Sequence, residues 1–214
     1  SSITRPILKL DLQFYLALCQ GRQALKTGAG KTEATAAMLA FVRSAASSNH
    51  FFQAADLLGD LAVSQGDFEN AVKYYGGISS KAPWTEDRVL AQLAEADARV
   101  KQGRFADAQK RYESILTQKS DTPEVKRLKL LAEVGRARCL AETATVDDAI
   151  ETLEKLIAEN DAVDTELFGR AYNALGDCFQ IAKKPKDALM AYLHVDILFY
   201  GDAETHAESL YHLN

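Results

Sequence analysis

Apolar residues recur along this chain at the three- and four-residue spacing of amphipathic helices, and short polar breaks separate one apolar stretch from the next. Several breaks contain glycine or proline, which commonly occur where one helix ends and another begins. The pattern predicts an all-α fold. The predicted helices lie near 6–27, 31–47, 51–65, 68–80, 85–102, 105–118, 122–143, 146–159, 164–182, 185–200 and 203–213.

Five alanines recur at a loose, regular interval, and the residue four positions after each one is large and apolar. The alanines are Ala34, Ala71, Ala108, Ala149 and Ala188, and the large residues are Met38, Tyr75, Tyr112, Leu153 and Tyr192. Residues four apart share a helix face, so each pair predicts a close contact between helices with a bulky side chain beside it. Mid-helix glycines cost stability, so Gly59, Gly135 and Gly176 also predict close contact with a partner helix.

The recurring order is a Leu-Gly pair, a short turn, an alanine, an aromatic residue four positions later, and a proline, as in Leu58-Gly59 followed by Ala71, Tyr75 and Pro83. This order resembles the tetratricopeptide repeat, in a degenerate form with a longer period than the roughly 34 residues of that family. The resemblance covers residues from about 8 to 213.

The resemblance implies an α-solenoid of stacked antiparallel helix pairs, wound as a right-handed superhelix. We expect a single domain over residues 1–214, with about five repeats and a partial or capping helix at 203–214. The repeats are placed at approximately 6–50, 51–84, 85–121, 122–162 and 163–201.

The function implied by the resemblance is a non-catalytic scaffold for protein–protein interaction, which binds a peptide or protein segment on its concave surface. The alternative is a docking or regulatory arm of a larger enzyme or multiprotein assembly. The sequence does not identify the partner. The first helices of the repeats supply the residues predicted to face the groove, which are Asp56, Asp60, Asp97, Lys129, Arg136, Arg170, Asn173 and Asp177.

One string, Thr27-Gly28-Ala29-Gly30-Lys31-Thr32, looks like the end of a phosphate-binding P-loop. Leu25 stands where that motif requires its first glycine, and the preceding residues have helical rather than strand periodicity. We therefore interpret the string as a turn between two helices and expect no nucleotide binding.

Metal and thiol chemistry receive little support from the sequence. His206 and His212 are six residues apart and lie on different helix faces, so we expect the acidic C-terminal segment to be a solvated surface and assign no metal or cofactor. Cys19, Cys139 and Cys178 have no C-x-x-C spacing, and each is expected to be a buried free thiol within a helix.

The formal net charge of −5 opposes binding to a phosphate backbone, so nucleic acid is not an expected partner. No apolar run is long enough to span a bilayer, and no insertion into a membrane by this chain is expected. Unpaired cysteines favour the cytoplasm by a small margin. Because the chain begins with Ser1 rather than Met, removal of an upstream leader would also allow a bacterial periplasmic or envelope location.

Overall fold

A computed structural model of the chain describes residues 4–45 and 47–214, and over these residues it contains eleven helices and no strand. The all-α prediction is confirmed, and each predicted helix end lies within three residues of the observed one. Residues 1–3 and 46, which belong to the predicted domain, lie outside the described residues. The helices are α1 Thr4–Thr27, α2 Lys31–Ser44, α3 Phe51–Ser64, α4 Phe68–Lys81, α5 Thr85–Lys101, α6 Phe105–Leu116, α7 Pro123–Thr143, α8 Val146–Glu159, α9 Thr165–Ile181, α10 Pro185–Leu198 and α11 Ala203–Leu213.

The chain divides into two compact units, Ser1–Gln102 with α1 to α5 and Gly103–Asn214 with α6 to α11. Within each unit every helix packs against the next one, and the short connections make these neighbours antiparallel. Such stacked helix pairs are those of the predicted α-solenoid class. The boundary between the units falls inside the predicted repeat 85–121, and the single domain over residues 1–214 stays a prediction.

Polar caps and left-handed residues define the helix ends. The side chains of Asp67, Thr122, Asp164 and Asp202 each accept a hydrogen bond from a backbone N–H in the first turn of the following helix. Gly66, five residues before its alanine, has a φ of 74°, a conformation that glycine adopts without a steric penalty. These local signals explain why helix boundaries were predictable from sequence.

The predicted repeat register is confirmed by the packing. All five alanines are buried, with at most 3% of each exposed, and so are the five large residues that follow them. A Cβ atom added to Gly59 would lie 2.3 Å from the ring of Tyr75, and one added to Gly176 would lie 2.4 Å from the ring of Tyr192. The glycines therefore let two helices approach until a tyrosine ring lies directly on a helix backbone.

The third mid-helix glycine contacts the preceding helix, whereas Gly59 and Gly176 contact the following one. A Cβ atom on Gly135 in α7 would lie 2.3 Å from the ring of Tyr112, which belongs to the preceding helix α6 rather than to α8. In α8 the register position holds Leu153, a buried side chain without an aromatic ring. The helix before α7 supplies the ring instead.

The structure also tests the predictions for the P-loop-like string and for the three cysteines. The P-loop-like string forms the turn between α1 and α2, where the Nζ of Lys31 donates to the backbone carbonyl of Ser64 at 2.9 Å. All three thiols are free, and Cys139 and Cys178 are buried as expected. Cys19 is exposed, and its predicted burial is wrong, because it lies on the outward face of α1.

Candidate functional site

In the first unit, one predicted groove residue accepts a hydrogen bond from a tyrosine hydroxyl, and the charges of two others act on the same tyrosine. The hydroxyl of Tyr75 in α4 donates to Oδ1 of Asp60 in α3 at 2.8 Å. Burial raises the pKa of Tyr75 above its usual value, and the charge of Asp60, its hydrogen bond and the charges of Asp56 and Asp97 raise it further. The carboxylates of Asp56, Asp60 and Asp97, called here the acidic face, therefore lie close enough together to act on the same group.

The acidic face is electrostatically strained at Asp56. This side chain reaches solvent, yet partial desolvation by the surrounding protein, followed by the charges of Asp60 and Asp87, raises its pKa from 3.8 to about 6. Carboxylates that lie close together disfavour one another's ionised form. A cation that approached this face would relieve the repulsion.

In the second unit, the same kind of contact lies in a different charge environment. The hydroxyl of Tyr192 in α10 donates to Oδ1 of Asp177 in α9 at 2.8 Å, and Nε2 of Gln180 donates to that hydroxyl at 3.0 Å. The guanidinium of Arg138 in α7 lies 2.7 Å from Oδ2 of Asp177. Asp177 is therefore paired with a cation of the chain itself.

Two residues of helix α11, Glu208 and His212, also lie beside Arg138 and Asp177. Glu208 accepts from the guanidinium of Arg138 at 2.9 Å. The ring of His212 stacks on that of Tyr192 with 4.6 Å between centroids, and its Nε2 lies 3.5 Å from Oδ1 of Asp177. Burial would lower the pKa of Arg138, but the charges of Asp177 and Glu208 outweigh burial and hold it above its usual value. Arg138, Asp177, Tyr192, Glu208 and His212 together are called the α11 junction.

The α11 junction has a composition that suits a metal ion, because ligand atoms of Asp177, Glu208 and His212 all lie within 4.8 Å of one another. Every carboxylate oxygen in the group nevertheless has a protein donor. Asp177 is contacted by Arg138 and by the Tyr192 hydroxyl, and the two oxygens of Glu208 accept from Arg138 and Asn173. The arrangement is that of an ion-paired contact between helices.

The remaining predicted groove residues are engaged within the second unit. Asn173 is 1% exposed, and its Nδ2 donates to the backbone carbonyl of Thr205 at 2.8 Å, so its predicted position in an open groove is wrong. Lys129 donates to the carbonyl of Gln118 at 2.6 Å. Arg136 and Arg170, both half-buried, lie beside Glu133 at 3.9 Å and Glu166 at 3.2 Å, one helical turn away in each case. Asp56 and Asp60 of the acidic face are the predicted groove residues that are exposed, whereas Asp97 is half-buried.

Sequence reasoning missed the α11 junction. The C-terminal segment was expected to be a solvated face, but Glu208 and His212 are half-buried against α9 and α10, and His206 lies 2.8 Å from Asp196. No spacing in the sequence connects Arg138 with Glu208, since 70 positions separate them. The Tyr–Asp hydrogen bond did have a signal, because the same Gly-Asp pair precedes a tyrosine at the same distance in both units.

Comparison with known proteins agrees with this architecture. The sequence profile of the tetratricopeptide repeat matches residues 62–132. A crystal structure of nearly identical TPR-like repeats assigned to a kinesin light chain, from Podosopora anserina, aligns with a TM-score of 0.60 at 20% identity, covering 87% of this chain and 93% of that one. A single-substitution variant of those repeats aligns with a TM-score of 0.61 at 19% identity, covering 95% and 96% of the two chains.

These likenesses in solved structures concern the fold, because the identities are low. No curated protein sequence matches the chain. Among the described residues, none of the helices combines the length and the apolar character required to cross a membrane.

Proposed function

We propose that this chain, which matches the tetratricopeptide-repeat profile over residues 62–132, is a non-catalytic scaffold that binds a segment of another protein on the face formed by its first helices. Tetratricopeptide repeats are generally scaffolds for protein–protein interaction, and their extended surfaces bind peptides. The alternative role, a docking arm of a larger enzyme or assembly, would use the same surface.

The observation that carries the proposal is the acidic face of α3 and α5. The charge of Asp60 raises the pKa of Asp56, and the charges of Asp56, Asp60 and Asp97 all raise the pKa of Tyr75, so the three carboxylates act on a common region of this surface. Partial desolvation, followed by the charges of Asp60 and Asp87, raises the pKa of Asp56 to about 6. A segment that carries lysine or arginine fits such a surface, since a positive charge would both pair with the carboxylates and relieve their repulsion.

The experiment is affinity capture from cell extract on the immobilised chain, followed by mass spectrometry. The test variant is Asp56→Lys/Asp60→Lys, and the matched control is Glu151→Lys/Glu154→Lys, which reverses two exposed carboxylates on α8. We expect the same partner on the wild type and the control, with at least about a tenfold loss on the test variant. Circular dichroism confirms that each variant is folded.

A second measurement links the captured partner to the acidic face. Protonation of Asp56 removes one negative charge, so affinity for a basic segment is expected to fall as the pH drops below about 6, the pKa of that carboxyl. A partner retained equally by all three proteins at every pH would show that the acidic face is not its binding site.

A further inference from the structure

One position on the first helices α3, α5, α7 and α9 is apolar in α5 and polar in the other three. The position lies six residues before the mid-helix glycine, or before Ala96, which takes the place of that glycine in α5. It holds Gln53 in α3, Lys129 in α7 and Arg170 in α9, whereas α5 has Leu90, which is 51% exposed. Single exposed leucines are common on protein surfaces, so the meaning of Leu90 depends on what surrounds it.

Leu90 shares one face of α5 with two aspartates. Asp87, Leu90, Ala94 and Asp97 follow one another at spacings of three, four and three residues, which places them on the same side of the helix. Asp87 is exposed and precedes Leu90 by about one turn, or about 5 Å along the helix axis. The lysine that continues this face, Lys101, follows Leu90 by eleven residues, or about 16 Å. On this face Leu90 is therefore nearer to negative side chains than to a positive one.

The helix α3 adds negative charge to the same surface. Asp56 and Asp60 are exposed, and the three influences on the pKa of Asp56 all raise it, with partial desolvation first and then the charges of Asp60 and Asp87. The effect of Asp87 shows that acidic side chains of α5 and α3 lie close enough to interact. Arg88, beside Asp87 in the sequence, is engaged elsewhere, because its guanidinium donates to two backbone carbonyls of the α4–α5 connection at 2.8 and 2.9 Å. Leu90 is thus an apolar contact within an acidic surface.

We propose that Leu90 and the acidic face together bind a protein segment in which a large apolar residue lies beside lysine or arginine, a proposal that rests on the scaffold function proposed above. The apolar side chain of the segment covers Leu90, and the neighbouring cations pair with Asp56 and Asp87. Charge complementarity selects this occupant, because an acidic or neutral segment would leave the crowded carboxylates uncompensated. A basic segment without an apolar residue would leave Leu90 in water.

The test selects short random peptides displayed on phage against the full wild-type chain and measures the enriched peptides, synthesised with a fluorescent label, by anisotropy. We expect the enriched peptides to combine lysine or arginine with an adjacent large apolar residue. Leu90→Ser should raise their dissociation constant about tenfold, because it removes the apolar contact, and Leu90→Met should bind like the wild type. The matched control is Leu189→Ser on α10, where the leucine is 49% exposed, and it should leave binding unchanged.

Comparison with Asp56→Lys/Asp60→Lys separates this proposal from the scaffold function on which it rests. Weaker binding to both Leu90→Ser and the charge-reversal variant, with unchanged circular dichroism, supports the shared site. Weaker binding to the charge-reversal variant alone, or enriched peptides that are basic without an apolar residue, would overturn the role of Leu90 and leave the acidic face as a binding site. If no peptide is enriched, or if neither variant weakens binding, the proposal fails together with the site assigned to the scaffold.

Discussion

The two units build a polar contact from the same three residues and then place it in opposite charge environments. In each unit a glycine is followed directly by an aspartate, and fifteen positions later a tyrosine from the next helix donates to that aspartate at 2.8 Å. The two sets are Gly59, Asp60 and Tyr75 in the first unit, and Gly176, Asp177 and Tyr192 in the second.

The surroundings of the two aspartates differ. Asp177 is paired with Arg138 and lies beside His212, so its charge is balanced within the fold. Asp60 has Asp56 and Asp97 in its neighbourhood, and their charges add to its own around Tyr75. The repeat determines the hydrogen bond, and residues outside the repeat pattern determine whether it is part of a structural junction or of a charged surface.

The largest expected effect concerns the feature that both units share. Gly59→Ala and Gly176→Ala each place a methyl group within 2.4 Å of a tyrosine ring, so the ring or the helix must move and the Tyr–Asp hydrogen bond is displaced with it. We expect each substitution to lower the free energy of unfolding by about 3 kcal/mol, measured by urea denaturation.

The control for both substitutions is Gly77→Ala in α4, where an added methyl group would meet no atom within 4 Å. That change should stabilise the chain by about 0.5 to 1 kcal/mol, because alanine is the better helix former. Equal losses at Gly59 and Gly77 would contradict the packing role of the repeat glycines.

This shared feature is also what the sequence could predict. The helices, the five buried alanines and the contacts of Gly59 and Gly176 depend on local periodicity and on the size of side chains at fixed spacing, and both are visible in the chain itself. The partner of Gly135 was harder to predict, because either neighbouring helix offered a bulky side chain, and only Tyr112 in α6 offered a ring.

The position of α11 was beyond sequence reasoning. It depends on pairs far apart in the chain, such as Arg138 with Glu208, and on Asn173, which bonds the backbone of Thr205. A polar residue on a helix gives the same sequence signal whether it faces solvent or a distant helix. Three-dimensional packing alone distinguishes the acidic face from the α11 junction.

The second-largest expected effect concerns the α11 junction in the second unit. Arg138→Gln removes the cation between Asp177 and Glu208, which leaves two half-buried carboxylates facing each other. Because breaking a partly buried ion pair leaves uncompensated charge, we expect a loss of about 2 kcal/mol in the free energy of unfolding.

The control for this prediction is Lys73→Gln, which removes the exposed ion pair with Glu69 on α4. Exposed pairs contribute little, so its melting temperature should match that of the wild type. If Arg138→Gln were equally neutral, the α11 junction would not be held by its charges.

The smallest expected effect is a gain in the free energy of unfolding, and it concerns Asp56 in the first unit. The pKa of Asp56 is about 6 in the folded chain, against 3.8 as the usual value, so above pH 6 the folded state holds an ionised carboxylate at a cost. Since Asp56 reaches solvent, screening limits that cost, and Asp56→Asn should stabilise the chain by about 1 kcal/mol at pH 8. As the pH falls from 6 to 4, the folded wild type takes up a proton that its unfolded state does not, and the difference between the two proteins should disappear.

Thermal melts of both proteins across this pH range measure the difference in stability. The control is Asp107→Asn on α6, whose difference from the wild type should not follow the same pH dependence. A gain for Asp56→Asn that persisted at pH 4 would mean that the cost of ionising this partly desolvated carboxyl near Asp60 is not its cause.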